Sequence, residues 1–291
     1  PPTSTPNFSV TRTKDPLEQL ELRDVVAESR LVLAPKRGGM ATRLTLAGKD
    51  LFYLDEATLR DEKQNVRGGN PVLFPTPGKL VDDAYDWRGH RGNLKQHGFA
   101  RTAAWEIGQV SNLTGAFASL RLAANEKTKR EFPWDFRAEY KYILRGAALR
   151  IEMTFFNSGD EVMPFGAGFH PYFAVPDADK AQASIETTAT RAFDNVTKKT
   201  GPLEPLDLTQ KELDMHLIDH TGDCILRIGD RGVRVRASAE FSRWVVWTLA
   251  GKDFVCVEPW TCPGNALNTG DALLLLQPGQ SRMLWVEYAL I

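Results

Sequence analysis

Two short stretches set a titratable side chain among stiff, apolar neighbours. In G-F-H-P-Y-F (168–173), His170, one of 5 histidines in the chain, stands between Phe169 and Pro171. In V-E-P-W (257–260), Glu258 lies between Val257 and Pro259, with Trp260 next. A following proline keeps His170 out of helical conformation. Apolar neighbours desolvate Glu258, which disfavours its charged form and lifts it above the usual carboxyl value of about 4.3. A histidine near ~6.5 beside such a carboxyl is a workable acid/base couple. Each residue also has a plainer reading, a satisfied core histidine and a strand-end glutamate paired with an arginine.

Two further segments carry more special residues than scaffolding needs. N-V-R-G-G-N-P-V-L-F-P-T-P-G (65–78) combines adjacent glycines with three prolines, which fixes a tightly shaped loop, and Arg67 stands at its entrance. The Gly-Gly pair is not a phosphate loop, because no G-K-[ST] follows. D-W-R-G-H-R-G-N-L-K-Q-H-G-F-A-R (86–101) gathers Arg88, Arg91, Lys95 and Arg101 around Trp87, His90 and His97. It reads either as a solvated basic loop or as a rim whose arginines could hold a sugar hydroxyl or a phosphate. His216 and His220 are four apart but lack the H-E-x-x-H glutamate and a third ligand, and no G-x-S-x-G elbow occurs.

The elements that must position these residues are mostly strands. Apolar residues recur at period two in 31–35, 41–46, 116–122, 138–144, 149–156, 233–237, 244–249 and 283–290, separated by Gly, Pro, Asn and Asp turns. The segments 138–144 and 149–156 form the clearest hairpin, with Tyr140, Tyr142 and Leu144 facing Leu149, Ile151 and Met153. The best helix lies over 209–220, where Leu213 and Leu217 are four apart. No linker, charge block or repeat divides the chain. The expectation is one large antiparallel all-β domain, a β-sandwich or barrel over 1–291 with few short helices and an irregular segment over 1–20.

Composition excludes several classes. With 36 basic and 37 acidic residues the net charge is −1, so no global basic excess recruits nucleic acid or an anionic membrane. The longest aliphatic run, 272–276, is far too short for a bilayer span. Three cysteines, Cys224, Cys256 and Cys262, match no zinc spacing and no disulfide framework. The N-terminal residues contain no apolar signal region. A cytoplasmic protein is expected.

Taken together, R-G-G-N-P-V-L-F-P (67–75), H-G-F-A-R-T-A-A-W-E (97–106), G-F-H-P-Y-F (168–173) and V-E-P-W-T-C-P-G-N-A-L-N-T-G (257–270) resemble the galactose-mutarotase superfamily, which includes aldose 1-epimerases and glucose-6-phosphate 1-epimerases. The four motifs occur in the family's order and spread over most of the chain after residue 40. The resemblance implies a β-supersandwich with a concave sugar site, no metal or organic cofactor, a sugar or sugar phosphate as partner, and a monomer or homodimer. It also implies His170 as general acid and Glu258 as general base, with Arg67 and His97 binding ligand. Asp214 is the candidate for a sugar-binding aspartate.

Trp260 is expected in an aromatic floor under the pyranose, with Phe99 and Trp87 as further candidates. H-G-F-A-R with W-E is more similar to the sugar-phosphate branch, and H-P-Y-F with E-P-W-T to the free-aldose branch. Arg88, Arg91 and Lys95 are the possible phosphate ligands, and their turning inward would mark a phosphosugar site. The primary expectation is an aldose 1-epimerase. Glucose-6-phosphate 1-epimerase is the alternative, and a non-catalytic carbohydrate-binding protein the rival from another class.

Overall fold

The computed structural model describes residues 7–291. The hairpin read at 138–144 and 149–156 is present and longer, as Phe136–Arg145 against Ala148–Asn157. Tyr142 pairs with Ile151 and Tyr140 with Met153, and all four are buried. This pair belongs to an eight-stranded antiparallel sheet that also contains Ala116–Ala123, Arg231–Ala237 and Ser281–Leu290. The expected all-β fold is thus observed, and the strands read at 31–35, 41–46, 233–237 and 244–249 also overlap observed strands.

A second sheet carries the residues of chemical interest. Its path runs Lys199–Pro202, Arg191–Asp194, Glu212–Leu217, Arg243–Leu249, Phe254–Trp260, Gly168–Phe169 and Val72–Leu73, and Tyr172–Ala174 also pairs with Phe254–Trp260. Alternation gives this sheet two different faces. Val255 and Val257, Trp244 and Val246, and Leu213 and Leu217 enter a core cluster that draws residues from Leu20 to Tyr288. Cys256, Glu258 and Trp260, Val245 and Trp247, and Asp214 and His216 take the opposite face.

Two expectations are corrected. The helix read over 209–220 is the strand Glu212–Leu217, paired on both sides, to Arg191–Asp194 and Arg243–Leu249. Residues four apart share one face in a helix and in a strand alike, so Leu213 and Leu217 could not separate the two. The segment over 1–20 is not irregular where it is described. Phe8–Thr13 pairs with Gln19–Asp24 at the edge of a five-stranded sheet, while residues 1–6 lie outside the described residues.

Helices are few and short. Glu56–Arg60 is capped by the Asp55 side chain, and Glu126–Glu131 begins with a reciprocal cap between Asn125 and Thr128. Among the described residues no helix is long and apolar enough to cross a membrane.

Candidate active site

The loop 65–71 is shaped to present Arg67. Its backbone N–H donates to Thr58 Oγ1 at 2.9 Å, and its carbonyl accepts from Asp55 N at 2.8 Å. Gly68 follows at φ 127, and a Cβ there would stand 2.5 Å from Leu54 Cα, so only glycine lets the loop form its bridge to Leu54. The carbonyls of Gly69 and Pro71 then accept from Tyr172 N at 2.9 Å and His170 N at 3.1 Å. The R-G-G-N-P and F-H-P-Y motifs, a hundred residues apart in sequence, are thereby clamped backbone to backbone.

His97 arrives from another loop. It adopts φ 71, and its Nδ1 lies 2.5 Å from the Pro77 carbonyl. That contact assigns the ring proton to Nδ1 and leaves Nε2 as an acceptor. Burial, with the Arg101 guanidinium adding to it, holds His97 down to about 4 from its usual 6.5, so it is neutral near pH 7. Its ring stands edge-on to His170 with centroids 5.4 Å apart.

His170 and Glu258 meet on the cavity floor, Nε2 to Oε1 at 3.3 Å. The Glu258 side chain is only 2% exposed. Trp260 Nε1 donates to the other carboxyl oxygen, Oε2, at 2.9 Å, which turns Oε1 toward the imidazole. Tyr172 stacks on His170 at 4.7 Å, and Trp247 closes it edge-on at 5.5 Å. Burial pushes Glu258 well above its usual value, and the nearby Asp214 charge adds to that. Burial likewise pushes His170 well below its own, helped by His97 and then by Arg101 and Arg67. The environment therefore opposes charge on both members, and their titration belongs to the pair.

Around this pair lies a cavity of 360 Å³, within the usual ligand-site range of about 300–1,000 Å³. Arg67, His97, His170, Asp214, Glu258 and Trp260, all singled out from sequence, line it together. Asp214 accepts from Asn195 Nδ2 at 2.7 Å, which fixes its carboxylate. Sequence reasoning missed Trp247, Asn195, Gln96 and Glu212 on the same wall, and it placed Arg101 only within the possible basic rim, without naming it as a ligand. Arg101 was legible in the H-G-F-A-R spacing, which carries it four residues past His97. Its guanidinium donates to the Gln96 carbonyl at 3.0 Å, and among the described residues neither Arg101 nor Arg67 forms a salt bridge. Burial lowers Arg101 from its ordinary value.

The expected phosphate rim and aromatic floor need correction. Arg91 pairs with Asp86 at 2.9 Å and Arg88 lies over the Trp87 ring at 4.8 Å, both on the hairpin Ala84–Trp87 and His90–Asn93. Neither lines the cavity, nor does Lys95, which borders a neighbouring cleft. Arg88, Arg91 and Lys95 are all exposed, and Arg101 is the cation of this segment that turns in. Phe99 packs in the core against Phe74 at 6.0 Å, and Trp87 packs beside the core, so Trp247 and Tyr172 join Trp260 in the aromatic wall instead.

His216 and His220 are not a metal pair. The first sits in a strand, and both ring nitrogens of the second engage carbonyls, of Gly222 at 3.1 Å and Phe241 at 3.0 Å. His170, Cys256 and Glu258 do bring three donor atoms within 4.8 Å of one another. Burial pushes the Cys256 thiol well above its ordinary value, and the Glu258 charge adds to this, so the site disfavours the thiolate that binds metals.

The family model described as aldose 1-epimerase matches residues 28–289. The crystal structure of the Slr1438 protein from Synechocystis sp. PCC 6803 is 36% identical with a TM-score of 0.92, covering 97% of this chain and 99% of that one. A galactose mutarotase-like protein from Clostridium acetobutylicum shares the fold at 14% identity, with a TM-score of 0.84 over 98% of this chain and 99% of its own. The protein YihR of Escherichia coli (strain K12) is 26% identical over 237 residues, 74% of this chain and 76% of its own length.

Proposed function

The chain belongs to the aldose 1-epimerase family, and on that premise we propose that it is a mutarotase, interconverting the α and β anomers of a hexose by ring opening and reclosure. The observation that carries this reading is the buried His170–Glu258 contact at 3.3 Å, on the floor of a polar cavity. A protein that only binds sugar has no need of an acid and a base held face to face.

In the proposed cycle Glu258 takes the proton of the C1 hydroxyl while His170 gives a proton to the ring oxygen, and the C1–O5 bond breaks. The open aldehyde rotates about C1–C2, its other face is presented to O5, and the two proton transfers run in reverse. No net proton is gained or lost. Burial favours the uncharged pair, with the proton on Glu258. One transfer across the 3.3 Å contact gives the carboxylate and imidazolium that the reaction starts from. Trp260 holds the carboxyl in register through its bond to Oε2. The neutral His97, with Nε2 free to accept, and the Asn195-anchored Asp214 are placed to accept hydrogen bonds from sugar hydroxyls.

A second reading, a hexose 6-phosphate as substrate, is favoured by one observation. Arg67 and Arg101 line the same cavity with no carboxylate bound to either among the described residues. Two unpaired guanidinium groups suit a phosphate better than a neutral hydroxymethyl.

Proton NMR of freshly dissolved α-D-glucose, α-D-galactose and α-D-glucose 6-phosphate, with and without protein, tests both readings. Faster anomer equilibration of any of these supports mutarotase chemistry, and the best substrate selects the branch. No acceleration of all three would overturn the reading for hexoses and their 6-phosphates.

A further inference from the structure

A second cavity of 780 Å³ adjoins the first on the same sheet face, and Gln96, Asn195 and Trp260 line both. We infer that it is a subsite for a second glycosyl unit, so that the protein binds the reducing end of an oligosaccharide better than the free hexose. The inference rests on the sugar-binding reading of the first cavity.

Sheet register makes the two cavities one groove. Asp214 and His216 are two apart on one strand and face the same way, Asp214 into the first cavity and His216 into the second. Arg243 pairs across with Trp260, and Phe193 with His216, so Trp260 and His216 stand where the two spaces join. The rings of Trp260 and His216 meet edge-on at 5.1 Å.

Direction along the sheet decides which substituent reaches the second space. The Asp214 strand is two strands away from the Glu258 strand, roughly 9–10 Å. Through Val245 the residue of that strand in register with Glu258 is His216, so a pyranose with C1 at Glu258 that extends across the sheet directs O4, on the carbon across the ring, toward His216 and the adjoining Asp214. A glycosyl group on O4 continues past Asn195 into the second cavity.

The lining fits a sugar more closely than an anion or an apolar group. His216 is 5% exposed, yet neither of its ring nitrogens has a hydrogen-bond partner, the nearest carboxyl oxygen being Asp214 Oδ1 at 3.6 Å. Arg243 Nε is likewise buried without a partner. Lys79, Lys198 and Arg243 share the walls with Asp82 and Asp271, so donors and acceptors are mixed and opposite charges nearly balance. Hydroxyl groups, which both donate and accept, answer such a lining. The ring faces of Trp260 and Phe193 offer C–H contact.

Calorimetric titration with glucose, maltose and cellobiose tests the subsite without relying on turnover. Expected is an affinity for at least one of the two O4-linked disaccharides about tenfold above that for glucose, in the range one added sugar contact set supplies. Thr200, exposed on the strand Lys199–Pro202, borders only the second cavity. Thr200→Trp should erase the disaccharide advantage and leave the glucose constant unchanged. His216→Phe should reduce the advantage by removing the two ring nitrogens. Equal or weaker binding of both disaccharides relative to glucose overturns the inference, as does an advantage untouched by Thr200→Trp. Absence of anomer acceleration alongside a disaccharide advantage would count against the mutarotase reading and leave the subsite standing.

Discussion

The floor and the rim of the first cavity are built on opposite electrostatic terms. On the floor, His170 and Glu258 are enclosed by Tyr172, Trp247 and Trp260, and burial resists charge on both. On the rim, Arg67, Arg101 and Asp214 are charged groups that a ligand can meet directly. Low polarity on the floor makes proton position sensitive to a small change in partner, which suits proton transfer. Fixed charges on the rim suit selection. The account therefore assigns turnover to the floor and substrate choice to the rim.

The contrast is broken most severely at the floor. Glu258→Gln and His170→Asn keep the size and hydrogen-bonding capacity of each group but remove its proton chemistry. Each should lower kcat by about 10²–10⁴-fold with a much smaller effect on KM, read by anomer-exchange NMR. A large rise in KM with kcat preserved would move that residue to the rim.

Arg101→Met sharpens the same contrast from the other side. It should raise KM about tenfold for hexose 6-phosphate, less for the free hexose, and leave kcat near wild type. Parallel loss of kcat for both sugars would place Arg101 with the catalytic pair.

The pH profile reports the floor directly. In the proposed cycle the pair carries one proton beyond the carboxylate and neutral imidazole. Because His170 is lowered, the acid limb of kcat/KM should fall below its ordinary 6.5, and because Glu258 is raised, the alkaline limb should lie well above 4.5. Burial thus moves the acid limb down and the alkaline limb up from those ordinary values. A narrow bell centred between 4.5 and 6.5 would show that burial has not separated the two steps.

The smallest effect is on stability. A carboxyl raised in the folded state favours folding fully below its unfolded value, and that contribution is lost as pH rises through the folded value. Glu258→Gln does not titrate, so its Tm relative to wild type should increase from pH 5 to pH 8, by a few degrees at most. A constant difference across that range would mean that Glu258 titrates alike in the folded and unfolded chain.

The floor was more legible in the sequence than the rim for a physical reason. His170 and Glu258 have their rigid neighbours beside them in the chain, as Pro171, Tyr172 and Trp260, so local chemistry announces them. Trp247 and Asn195 reach the cavity only through the pairing of distant strands, and nothing adjacent marks them. The basic stretch 86–101 shows the limit most clearly, because its four cations look alike in sequence. The hairpin turns Arg88 and Arg91 onto Trp87 and Asp86, and the turn Ala100–Thr102 after His97 brings Arg101 inward. The strand at Glu212–Leu217 was misread because a four-residue spacing of leucines fits two periods. Its true signal was the intervening Asp214 and His216, polar at every second position.

The central claim is that His170 and Glu258 work as one unit. Single-turnover anomer exchange of the best substrate, measured for both single variants and for the double variant His170→Asn/Glu258→Gln, tests it most directly. The account predicts that each single change removes nearly all of the acceleration and that the double variant is no slower than the slower single. Losses that multiply in the double variant, or a single variant that keeps most of its rate, would contradict it.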